Sequence, residues 1–267
     1  MTMGAVSSFF ARRNSFEART PWNGWAAGFM AIGFILFQFA VAGLLGLVLV
    51  VVQLDLSIFS KGGFSAGEVS ALIDICIVAL MASYIITFGF IVFVAGLRGG
   101  TAGEVLRLKR PDDFVVNLII GLVLLVVFFS LLSFVIETFF ARDAQQSDAQ
   151  MKQIFAAIKG SRLLWGGVAI IVIGAPILEE TIFRGFLLTS LANTRLGFWG
   201  AATVSSALWA MIHGYAASMA VGLFVFGLLL SLLVRRSGSI WISIFLHGVW
   251  NGVVTAGMFI AMGNSGL

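Results

Sequence analysis

The sequence is poor in what water-soluble or covalently braced proteins rely on. Only 10% of its 267 residues are charged, where an ordinary soluble domain carries about a quarter. With 60% hydrophobic residues and a mean hydropathy of +1.07, a soluble globule is excluded. A disordered chain, which needs low hydrophobicity and high charge, is excluded as well. The single cysteine, Cys76, sits inside an apolar run, so no intramolecular disulfide can form. There is no internal repeat, no low-complexity stretch and no secretory signal, because the first apolar run, from Trp22 to about Val52, is too long for one. The net charge of +4 and the pI of 9.7 do not point to nucleic acid. The basic residues lie between apolar blocks, where loops facing an anionic leaflet carry them.

What is abundant is apolar sequence in long blocks. These fall at roughly 22–52, 70–97, 113–140, 163–192, 198–214, 217–234 and 239–262. A membrane span needs about 20 apolar residues, so the sequence predicts an all-α, polytopic integral membrane bundle of about seven to eight transmembrane helices in a lipid bilayer. The predicted organisation is a cytoplasmic segment over 1–21, N-terminal spans over 22–140, an amphipathic connection over 141–162 and a functional core over 163–262. In the connection, Met151, Ile154, Phe155 and Ile158 recur at helical spacing, which predicts an amphipathic helix lying on the outer interface, with a solvated connecting loop as the alternative reading. With the N-terminus inside, the cytoplasmic stretches hold Arg12, Arg13, Arg19, Arg98, Arg107, Lys109, Arg110, Arg195, Arg235 and Arg236. The other side holds Lys61, Arg142, Lys152, Lys159 and Arg162. That imbalance predicts N-terminus in and C-terminus out. Trp22, Trp25, Trp165, Trp199 and Trp241 fall near block ends and read as an interfacial belt, and Asp74 and Glu137 as span-end residues without a function.

A few polar residues lie where lipid should forbid them. Glu179, Glu180 and Arg184 are deep in the fourth block, His213 ends the fifth, and His247 and Asn251 are in the seventh. A charge at mid-bilayer costs roughly 2.5–3.5 kcal/mol on insertion scales, so intramembrane ionisable residues are functional candidates. Glu180 and Arg184, four apart, share a helix face and can pair, whereas Glu179 is turned about 100° away. At about 1.5 Å per residue, Glu179 and His213 lie roughly 22–24 Å from the cytoplasmic ends of their blocks, and His247 and Asn251 roughly 12–18 Å. The overlap of depths predicts one shared site. A carboxylate and a neutral imidazole can deprotonate a water or hold a metal that does so, and a second imidazole near an amide can stabilise an oxyanion. Pro176 would loosen the fourth span beside them. Structural readings stand beside these: a buried ion pair for Glu180 and Arg184, and interhelical hydrogen bonding for His213, His247 and Asn251.

Three motifs carry a family resemblance. EETIFR at 179–184 resembles the EExxxR motif of the CPBP intramembrane proteases, the CAAX-processing and bacteriocin-processing group that includes the Rce1-type prenyl-protein endopeptidases and is also called the Abi family. WAMIH at 209–213 is similar to its FxxxH motif, with Trp209 in place of Phe, and HGVWN at 247–251 to its HxxxN motif. The resemblance implies a bacterial membrane endopeptidase with a conical cavity opening to the cytosolic side and the lipid. It implies Glu179 and His213 as the water-activating catalytic pair, His247 and Asn251 as the oxyanion hole, and Glu180 with Arg184 as a supporting ion pair. Its substrates would be membrane-associated peptides or proteins, of prenylated CAAX or leader-peptide type.

Whether a divalent metal such as zinc takes part is open on the sequence. If present it would be held by Glu179, His213 and His247, though no HExxH spacing exists. Two rival readings are a non-catalytic membrane scaffold or bacteriocin self-immunity protein of the same fold, and an ion-coupled transporter, against which the lack of inverted repeats counts. If Glu179 must be ionised and His213 neutral, activity falls in acid.

Overall fold

A computed structural model describes residues 16–17, 20–54, 56–60, 63–97 and 101–264. Long apolar stretches become helices because a helix satisfies its own backbone hydrogen bonds, which lipid cannot do. The helices are α1 (Gly24–Gln53), α2 (Ala66–Gly96), α3 (Phe114–Phe139), α4 (Ala141–Lys159), α5 (Leu164–Ala192), α6 (Gly197–Ile212), α7 (Ala217–Ser237) and α8 (Trp241–Asn264). Among the described residues there is no β-strand. Six of these helices, α1, α2, α3, α5, α7 and α8, are long and apolar enough to cross a membrane. The chain is a multi-pass membrane protein. The fifth predicted span, α6, is a 16-residue helix and falls short of that length. Large apolar side chains such as Phe29, Ile85, Val126 and Val253 point out of the bundle, as lipid-facing positions do.

The helix ends are set by local chemistry. Asn23 caps α1, its side chain accepting from the Ala26 N–H at 2.7 Å. Ser65 and Glu68 form a reciprocal capping box at the start of α2. The α6–α7 connection is only four residues long and turns at Gly214, whose φ of +64° is left-handed and suits glycine. That turn ends α6 at His213.

α5 is the central helix, packing against α1, α2, α6 and α8. It is not regular. Ile170–Gly174 and Thr181–Leu187 are π-helical, on either side of an α-helical Ala175–Glu180. Such turns recur at functional sites. Pro176 follows the first of them and has no N–H to donate, so a carbonyl in the preceding turn loses its helical partner. Ser205 of α6 donates to the Phe183 carbonyl in the second, at 2.7 Å.

Three sequence expectations need comment. The segment over 141–162 is helical, as its periodicity predicts, but it does more than lie on an interface, because Met151, Ile154 and Phe155 line an internal cavity. Trp22 is not part of an exposed belt. It is buried against Phe186, while Trp25 and Trp165 are exposed as expected. Asp74 has a structural role that the sequence did not reveal. It accepts from Ser161 Oγ, the Arg162 backbone N–H and Arg162 Nε, fastening α2 to the start of α5. Arg12, Arg13, Arg19, Lys61 and Arg98 lie outside the described residues, as does most of the segment over 1–21.

Gly185 lies so close to the 98–113 connection that a Cβ there would stand 2.8 Å from the Leu106 carbonyl oxygen. Gly185→Ala should therefore lower the unfolding temperature in detergent, by a cost of about 1–3 kcal/mol typical of overpacking. Gly89→Ala, with nothing within 4 Å, should leave it unchanged.

Candidate active site

The expected site residues meet. Glu179, His213, His247 and Asn251 line one cavity of about 260 Å³, together with Trp209, Tyr215 and Trp250. Each comes from a different position in the fold: Glu179 from the α-helical turn of α5 between its two π segments, His213 from the end of α6, His247 and Asn251 from adjacent turns of α8. Glu179 and His213 also line a second cavity of about 160 Å³ beside Gln38 of α1 and Tyr84 of α2, so the pair forms a wall between the two spaces.

The two neighbouring glutamates have opposite surroundings, as the helical geometry predicts. Glu179 reaches the cavity with 21% of its side chain exposed, whereas Glu180 and Arg184 have none. Arg184 donates through NH1 to Glu180 Oε1 at 2.9 Å. The same oxygen accepts from His247 Nδ1 at 3.0 Å. The Arg184 guanidinium stacks on Trp209, 4.5 Å from the ring centre. Room for it comes from Gly227 of α7, where a Cβ would stand 2.8 Å from the guanidinium. The ion pair is thus a fully enclosed strut, and through Glu180 it orients an imidazole of the cavity.

Two hydrogen bonds fix the imidazole tautomers. His213 Nδ1 lies 2.7 Å from the Trp209 carbonyl, which can only accept, so Nδ1 carries the proton and Nε2 faces the cavity. His247 likewise uses Nδ1 toward Glu180, leaving Nε2 free. Both Nε2 atoms face Glu179 Oε2, at 3.8 Å for His213 and 4.0 Å for His247. These separations exceed a direct hydrogen bond and match a site bridged by one small polar molecule.

Asn251 is only half committed. Its Nδ2 donates to the Ile171 carbonyl at 2.8 Å, within the π turn that precedes Pro176. One amide proton and the side-chain carbonyl remain for the cavity. α8 also comes very close to α5 there, since a Cβ on Gly248 would stand 2.7 Å from the Val172 carbonyl oxygen.

Trp209 is the residue whose role the sequence left unread. It is 1% exposed, and its Nε1 donates to Glu179 Oε2 at 2.6 Å. It also stands edge-on to both imidazoles, with ring centres 5.1 Å from His213 and 5.3 Å from His247. The available signal was the indole itself, because the Phe of the FxxxH pattern has no N–H to give a carboxylate.

Glu179, His213 and His247, the set a zinc ion would take, do face one another. Among the described residues, however, no group of three or more His, Cys, Asp or Glu side chains is arranged to hold a metal ion. The polar groups the cavity presents include a carboxylate, two imidazoles and an amide.

Breaking the buried pair should cost more than any other single change at the site. Glu180→Gln or Arg184→Met leaves one charge enclosed without its partner, a loss of about 3–5 kcal/mol. Thermal unfolding of the purified variants should register it, and the double variant Glu180→Gln/Arg184→Met should recover part of the loss.

Residues 161–253, about a third of the chain, match the family described as type II CAAX prenyl endopeptidase Rce1-like. The matched span carries EETIFR, WAMIH and HGVWN, so the CPBP resemblance read from those motifs is borne out there; residues 1–160 lie outside it. No curated protein and no solved structure matches the chain.

Proposed function

We propose, from the premise that residues 161–253 are Rce1-like, that the protein is a membrane-embedded endopeptidase hydrolysing peptide bonds of membrane-associated substrates. The observation that carries this reading is the convergence of Glu179 Oε2 and two imidazole Nε2 atoms within 4.0 Å at one cavity wall. A water donating one proton to Glu179 and the other to His213 Nε2 is held with a lone pair free to attack. Its oxygen bonds to the scissile carbonyl carbon as one proton passes to Glu179, while the other stays on the oxygen and hydrogen-bonded to His213 Nε2. The carbonyl π electrons move onto oxygen. The uncommitted amide proton of Asn251 stabilises that oxyanion, and so does His247 when, with Nδ1–H held by Glu180, it carries a second proton on Nε2. Collapse breaks the C–N bond, and the proton taken from water passes to the departing amine. Glu180 and Arg184 touch neither water nor peptide; they hold His247 in place.

Trp209 positions the carboxylate. The indole N–H fixes Oε2 toward the imidazoles, and its ring separates the enclosed ion pair from the reacting groups. This supports a water-activating role for Glu179 more than a structural one, because a second donor would otherwise have to be recruited for it.

Purified protein should be assayed on lipid-anchored peptides in detergent or proteoliposomes. Glu179→Gln and His213→Ala should each lower kcat by about 10²–10⁴-fold, the usual share of general acid–base catalysis, with unfolding temperatures near wild type. Trp209→Phe should remain active with kcat lowered about tenfold, since a hydrogen bond to a charged group contributes about 1.5–3 kcal/mol. Equal cleavage by wild type and Glu179→Gln would remove Glu179 from the mechanism.

A further inference from the structure

The cavity belongs to one end of the bundle, and that end is the one poor in arginine. Its walls include Met151, Ile154 and Phe155 of α4 and Tyr215 of the α6–α7 turn. α4 joins the end of α3 to the start of α5, so these pieces all lie at the same end. Among the described residues, the connections at the opposite end, over 101–113, 193–196 and 238–240, contribute no cavity residue. Those connections and the adjoining helix end hold Arg107, Lys109, Arg110, Arg195, Arg235 and Arg236. The sequence adds Arg12, Arg13 and Arg19 ahead of α1 and Arg98 after α2. The cavity end has Arg142, Lys152, Lys159 and Arg162, and the sequence adds Lys61, so the bias is ten against five. Lys152 pairs with Asp148 at 2.6 Å, and Arg162 with Asp74 at 2.9 Å.

Lysine and arginine bias in short connections sets which side of a multi-span protein stays in the cytoplasm. Here the bias and the cavity point to opposite ends. We infer that the site opens on the non-cytoplasmic face, beneath α4, and that its substrate is an exported peptide segment tethered to that face rather than a cytoplasmic tail. This reverses the cytosolic opening implied by the family resemblance. α4 fits the arrangement: its apolar side closes over the cavity while Asp148 and Lys152 face outward at the membrane surface. The substrate clause rests on the hydrolytic reading proposed above; the sidedness does not.

The test uses the full chain in cell membranes. In a Cys76→Ala background, which removes the only native cysteine, Lys152→Cys and Arg195→Cys are each exposed to a membrane-impermeant maleimide on intact spheroplasts. Lys152→Cys should label, and Arg195→Cys should label only after permeabilisation. The reverse pattern, or equal labelling of both, would overturn the inference. Adding Glu179→Gln should not change the pattern, so the labelling reads orientation independently of hydrolysis. In a second arm, a library of reporter peptides on a single-span anchor is displayed on either face of cells making the protein. Cleavage confined to the outward display supports the substrate assignment, and cleavage confined to the inward display overturns it. Cleavage of neither, with the expected labelling, overturns the hydrolytic reading and the substrate clause while sustaining the sidedness.

Discussion

A guanidinium and a carboxylate with no exposed surface, in the middle of a bilayer-spanning helix, constrain everything around them. Arg184 and Glu180 offset much of each other's desolvation, but only because neighbouring elements accept the geometry. Gly227 leaves space, Trp209 supplies a π face, and His247 provides a further donor to the carboxylate. α5, α6, α7 and α8 are therefore brought together around one polar contact set within a largely apolar core. The site is built on the side of that contact where α5 turns Glu179 into a cavity.

The division of labour between adjacent glutamates follows from helical pitch alone. One position apart means about 100° of rotation, enough to send Glu180 into an enclosed ion pair and Glu179 to the cavity wall. The imidazoles are divided similarly. Each spends Nδ1 on a fixed acceptor, so the atoms presented to the cavity are chemically equivalent and their different environments decide their roles. The match of residues 161–253 to an Rce1-like family supports the proposed reaction class, and the charge pattern of the whole chain supports the inferred sidedness.

Much of this was legible in the sequence for physical reasons. Apolar length reports spans because lipid demands it, and costly polar residues at matching depths report a shared site. EETIFR, WAMIH and HGVWN put Glu179, His213, His247 and Asn251 on the same cavity before any coordinates. What stayed hidden depends on contacts between distant segments. Composition could not tell that Trp209 donates to Glu179, that Asp74 fastens α2 to Arg162, or that α4 closes over the cavity. Trp22 misled for the same reason, since an aromatic at a block end can turn toward lipid headgroups or inward to Phe186. The shortness of α6 was visible as a lower-limit block, but only the turn at Gly214 reveals that this length leaves His213 at cavity depth.

The two π segments of α5 give this design a particular kind of fragility. Each is a helix that has absorbed a residue more than regular winding would hold, and the absorbed residue sets the phase of everything downstream. Ironing out the turn over 170–174 by losing a single codon would swing Glu179 off its wall and withdraw the Ile171 carbonyl from Asn251. None of the proposed catalytic side chains would be altered. A lineage could thus silence the proposed activity through helix register alone, keeping every signature motif intact.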